Sequence, residues 1–94
     1  MVVGIVRVEL HIHGAASLKE KRAVLRRMKD RTRSRHNISV AEVDFQDKHQ
    51  RAALGFAAVS HSETDLQRLF ETLRDEIDEI LPGGVTDWQE EVLE

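Results

Sequence analysis

Apolar and polar positions alternate along residues 2–13: Val2, Gly4, Val6, Val8, Leu10 and Ile12 fall on one side, Arg7, Glu9, His11 and His13 on the other. A period of two with β-branched residues predicts a strand with one face on a core, closed by Gly14. The period then lengthens. Ser17-Leu18-Lys19-Glu20 has capping-box spacing, in which the serine oxygen and the glutamate satisfy free amide donors at a helix start. The helix is expected to run to about Arg35, with Leu18, Val24, Leu25, Met28 and Thr32 gathered on one side as its buried stripe. Asn37 is expected to end it in the left-handed conformation.

Two extended runs follow, residues 38–46 and 51–60, and the short linker around Asp47-Lys48-His49 predicts an antiparallel hairpin. On the first run Glu42, Asp44 and Gln46 are expected to point away from the helices. The second run is thin in side chains (Ala52, Ala53, Gly55, Ala57, Ala58), which suits a central strand approached closely by another layer. Ser62 caps a second helix, supported by Asp65 in its first turn. Leu66, Leu69, Phe70, Leu73, Ile77, Ile80 and Leu81 fall within an arc of about 120°, and Pro82-Gly83-Gly84 stops the helix. Residues 85–93 form a weaker final strand at a sheet edge. The order is strand, helix, strand, strand, helix, strand. Right-handed crossovers put both helices on one face of a four-stranded antiparallel sheet. The expected fold is therefore α+β, a ferredoxin-like βαββαβ sandwich, with residues 1–94 as a single domain.

Composition narrows the function classes. With 40% hydrophobic and 33% charged residues the chain has enough apolar material for a core, which excludes a disordered chain. It has no cysteine, so disulfide scaffolds, thiolate zinc sites, iron–sulfur clusters and cysteine nucleophiles are excluded. Arg7 and Glu9 interrupt the apolar opening, which reads as a strand rather than a leader or a membrane span. The expected location is the cytoplasm, with no membrane partner.

Net charge is −3, but its distribution is steep: residues 17–35 hold nine Lys/Arg and two acids. Steps of three and four place Lys19, Arg22, Arg26, Lys29 and Arg33 within about 80° of one another, along a helix flank about 21 Å long. Lys21, Arg31 and Arg35 extend the field. Like charges at i, i+4 weaken a helix slightly, and arginine forks suit phosphate, so the stripe is a candidate polyanion site. Two other readings stay open beside it. The second helix presents Glu71, Asp75, Glu76, Asp78 and Glu79, and internal pairing with this acidic side is one. An acidic protein surface is the other.

His11 and His13 share a strand face two residues apart. A carboxylate would complete a metal site, but the second strand is separated from the first by the third, so Glu42 and Asp44 are not their neighbours. Polar surface or a sheet-to-sheet dimer contact accounts for the pair more simply. There is no glycine-rich loop followed by Lys-Ser/Thr, Ser17 and Ser62 read as caps, and His13-Gly14-Ala15-Ala16-Ser17 carries no arginine for an acylphosphatase-type loop. Of the hairpin aromatics only Phe45 and Phe56 are candidates for stacking bases, too few for an RNA-recognition sheet. No catalytic residue, metal site or cofactor is assigned.

Several segments together resemble a known family. Val2-Val3-Gly4-Ile5 through Glu9-Leu10, Ser17-Leu18-Lys19-Glu20-Lys21-Arg22, Asn37 through Val43, and Gln50-Arg51-Ala52-Ala53-Leu54-Gly55 resemble the YlxP-like family of small bacterial proteins of unknown function. His49 departs from it, standing where the family carries tryptophan. The resemblance implies a ferredoxin-like fold, a genomic setting among translation and ribosome-maturation genes, and no catalytic residues. Carried onto this chain, Lys19, Lys21 and Arg22 are the motif positions whose chemistry bears on function. The expected function is a non-enzymatic RNA- or ribosome-associated accessory factor that binds phosphate backbone through the basic helix. The alternative is a homodimeric interaction module, joined through the open sheet face or an edge strand, whose basic helix meets an acidic protein surface.

Overall fold

Alternation at the N-terminus and helical periods after Ser17 and Ser62 resolve into six elements. The computed structural model describes residues 1–94: β1 (Val2–His11), α1 (Leu18–Arg35), β2 (Ser39–Asp44), β3 (Arg51–Ser60), α2 (Glu63–Ile80) and β4 (Val85–Leu93). The strands form one antiparallel sheet in the order β2-β3-β1-β4. This is the ferredoxin-like arrangement, with two long central strands and two edges. The even residues of β1 from Val2 to Leu10 are buried beneath the helices together with Ile12, and Ala52, Leu54, Phe56 and Ala58 of β3 join them. Leu66, Phe70, Leu73 and Ile77 close this core from α2, whereas α1 contributes only Leu25 and Met28 as fully buried apolar side chains. A Cβ on Gly4 would stand 2.5 Å from Phe70 Cζ, so glycine is what lets α2 lie down on β1.

Both helices start as their caps predict. Ser17 Oγ accepts from the Glu20 amide at 3.1 Å, the Glu20 carboxylate accepts from the Ala16 amide, and Ser62 Oγ accepts from the Asp65 amide at 3.4 Å. The exit of α1 differs from expectation. Asn37 is not left-handed; the helix ends through His36 in an extended conformation, its amide closing on Thr32 O at 3.0 Å.

The hairpin also departs from simple alternation. Its first strand stops at Asp44 because pairing shifts between Glu42 and Asp44, and Phe45 turns the chain with φ 61. Glu42 pairs with Leu54 and Asp44 with Ala53, whose side chains lie on opposite faces of β3. The bulge at Val43 thus inverts the parity of the strand. Asp44 faces outward as expected, but Glu42 points toward the helix layer.

Candidate functional site

The basic residues of α1 divide according to their angle about the helix axis. The buried line is Lys21, Leu25, Met28 and Thr32. At 100° per residue, Lys19, Arg22, Arg26, Lys29 and Arg33 lie to one side of this line, and Arg31 and Arg35 to the other. The second side faces α2. There Arg31 pairs with Glu79, and Arg35 lies 3.7 Å from Glu76, which His36 Nε2 also meets at 2.9 Å. Glu76 is 6% exposed; it belongs to the seam between the helices, not to the solvated acidic side of α2. Internal pairing therefore claims Arg31 and Arg35.

Lys21 is a different case again. The sequence places it in the basic field, but its side chain is 1% exposed. Its Nζ donates to Phe45 O and Lys48 O, each at 2.6 Å, and makes an ion contact with Glu42 at 2.8 Å. These carbonyls belong to the turn that joins β2 to β3, itself closed by Lys48 N to Phe45 O at 3.0 Å. A buried ammonium needs partners for its charge and donors, and here it ties the hairpin turn to the first helical turn. Buried in this way, the ammonium is out of reach of a phosphate. Lys21 is a structural anchor, and it leaves the set of candidate binding residues.

On the remaining flank Lys19, Arg22 and Arg26 are exposed and Lys29 half-exposed, and none makes an ion pair or side-chain hydrogen bond within the chain. Arg33, at the far end, donates to Val40 O of β2 at 2.9 Å. Arg27 is also exposed and unpaired, but it lies on the Arg31 side of the helix, apart from this flank. The result is a continuous unpaired cationic surface over the first three turns of α1, turned away from the acidic helix.

The open face of the sheet is divided too. Toward one end Arg7 stands 3.4 Å from both Glu9 and Asp44, and Arg51 donates to Glu9 at 2.8 Å while its guanidinium lies 3.8 Å above the Phe45 ring. Arg7 reaches Asp44 across β3. His11 and His13 meet edge to face with ring centroids 4.5 Å apart, and no third His, Asp or Glu joins them as a metal-binding cluster. Phe56 is buried on the helix side and Phe45 lies under Arg51 in the turn, so neither offers a ring on the open face. No helix is long and apolar enough to cross a membrane.

A family model described as a protein of unknown function (DUF503) matches residues 3–89. The chain belongs to this family. The uncharacterized protein YlxP of Bacillus subtilis (strain 168) is 44% identical over 72 residues, covering 72% of this chain and 78% of that protein. Among solved structures, the protein YJCS aligns with a TM-score of 0.63 at 11% identity, over 98% of this chain and 99% of its own. A de novo designed protein with a ferredoxin fold, LFR1 1, aligns with a TM-score of 0.62 at 14% identity, over 100% of this chain and 87% of its own. At such identities the structural likeness establishes the fold alone.

In this DUF503 chain the segment Ser17-Leu18-Lys19-Glu20-Lys21-Arg22 separates cleanly into roles. Ser17 and Glu20 cap, Lys21 anchors the hairpin turn, and Lys19 and Arg22 face solvent without partners. The anchor was missed because a lysine was read by its charge. Its spacing of four, three and four along Lys21, Leu25, Met28 and Thr32 was the available signal. Glu76 carried a similar one, lying about 20° from Leu69 at the margin of the apolar arc of α2.

Proposed function

We propose that the protein is a non-enzymatic, RNA-associated accessory factor that binds the phosphate backbone of ribosomal RNA or a ribosomal subunit through one flank of α1. The observation that supports this reading is the set Lys19, Arg22, Arg26 and Lys29, which shares a flank turned away from α2 and has no partner within the chain. Repelling charges held together on a helix destabilise it slightly, and a polyanion offsets that cost. Arginine forks match phosphate oxygens. Contacts of this kind position the protein on RNA without reading its sequence, and a sheet whose hairpin phenylalanines are buried (Phe56) or covered by Arg51 (Phe45) fits a role for the helix in place of the sheet. The translation setting implied by the family resemblance agrees with this partner, and the cytoplasm is where it would be met.

Fluorescence anisotropy of labelled ribosomal RNA fragments through a salt series tests the reading. If the four cations each neutralise one phosphate of a single strand, the log–log slope of affinity against salt should be about −2.8. Absence of binding at low salt, or a slope near zero, would contradict it and turn attention to an acidic protein surface as the partner of α1.

A further inference from the structure

Four large apolar side chains other than the terminal Met1 are left exposed: Ile5 at 38%, Val43 at 49%, Val59 at 60% and Leu93 at 48%. All four stand on the face of the sheet that the helices do not cover. Ile5 and Val59 occupy the outward parity of β1 and β3, Leu93 pairs with Val3 on β4, and the bulge turns Val43 outward against Gly55. Ile5 and Val43 line a hollow of about 750 Å³ on this face, together with Ala41, Gly55 and Ala57. The charged network of Arg7, Glu9, Asp44 and Arg51 fills the other end of the face.

We infer that this face receives a second copy of the chain, sheet against sheet about a two-fold axis. A two-fold interface uses the same patch twice, so it needs its protrusions and the recess that accepts them on one surface. Here both are present: Ile5 and Val43 project at the recess over Ala41, Gly55 and Ala57, and Val59 stands exposed on the same face. The rim carries both signs of charge, with Arg7 on β1 and Glu91 on β4 both bordering the hollow. The extent also suits such a contact. Strands of ten, six, ten and nine residues, at about 3.3 Å per residue and about 4.8 Å apart, give roughly 550 Å² per copy, or roughly 1,100 Å² in all, just under the usual range of stable specific interfaces. Packing of this size predicts a dimer that dissociates on dilution. Face-to-face docking leaves α1 of each copy on an outer surface, so the dimer and the phosphate-binding reading stand or fall separately.

Sedimentation velocity from about 5 μM to about 500 μM brackets the affinity expected of so small an interface. The mass should rise from 10.8 kDa toward twice that value. The double variant Val43→Glu/Val59→Glu, at exposed positions, should stay at the monomer mass with an unchanged circular dichroism melt. The variant Arg22→Glu/Arg26→Glu should dimerise like the parent. A parent chain that stays at 10.8 kDa throughout would overturn the inference and leave the hollow to an apolar ligand or a different protein. A dimer that survives the double substitution would also overturn it, placing association on the β2 or β4 edge. Should the variant melt early, amide shifts of the parent on dilution decide the matter: changes at Gly55 and Ala57 support the face, and changes confined to α1 refute it.

Discussion

Lys21 and Arg22 are adjacent and carry the same charge, yet one is buried against two carbonyls and Glu42 while the other stands in solvent with no partner. Toward the other end of the helix, the half-buried Arg31 and the exposed Arg35 are claimed by Glu79 and Glu76. The first turns of α1 thus hold free cations around a buried anchor, and the last turns hold cations already answered by α2. What separates them is angle about the helix axis relative to the buried line, which charge density along the sequence does not contain. A stretch with nine Lys/Arg among nineteen residues is therefore not a binding footprint as a whole. Only the flank turned away from α2 is available.

The comparison breaks most visibly at the anchor. Lys21→Ala leaves Glu42 and two turn carbonyls without their buried cation, and removal of one partner from such a pair costs about 3 kcal/mol or more. Urea unfolding should show a lower midpoint with an unchanged slope, and hydrogen exchange should speed at Lys48, whose amide closes the turn. Stability within about 0.5 kcal/mol of the parent would contradict the anchoring role. At the opposite end, Glu76→Ala removes the shared partner of Arg35 and His36 from the helix seam. Loss of this buried carboxylate acceptor should cost about 2 kcal/mol in the same titration, and a neutral result would mean that α2 does not hold the last turn of α1.

Smaller effects sharpen the picture. Ser17→Ala removes the cap that starts the cationic flank and should cost about 1 kcal/mol by thermal melt. Arg22→Ala, next to the anchor, should move stability by no more than about 0.5 kcal/mol, because it touches nothing within the chain. A loss as large as that at Lys21 would show that Arg22 also serves the fold.

The architecture was legible because periods of two and of 3.6 alternate without conflict, and because Ser17, Ser62 and Pro82-Gly83-Gly84 punctuate them. Even the strand order followed, since the connections leave little choice once both helices share a face. The site was legible in outline only. Lys21 and Glu76 are charged residues at core-facing angles, where a reading by residue type sends them to solvent. Glu42 was misplaced for another reason: a one-residue bulge at Val43 inverts parity, and no residue in Glu42-Val43-Asp44 announces it. The exit of α1 through His36 was equally silent, because Asn37 satisfies a common left-handed cap pattern that the chain does not use. The exposed apolar residues of the sheet were hidden among alternating positions, and only register gathers Ile5, Val43, Val59 and Leu93 onto one face.

The most direct test sets the two sides of α1 against each other in one RNA-binding experiment. Arg22→Glu/Arg26→Glu/Lys29→Glu reverses the free flank, and Arg31→Glu/Arg35→Glu reverses the paired side; anisotropy with ribosomal RNA fragments is read for both through the same salt series. The first variant should lose the salt-dependent binding, while the second, once shown to be folded, should keep most of the affinity and nearly the parent slope. Equal losses in both variants would mean that RNA senses net charge alone and that the unpaired flank is not the site.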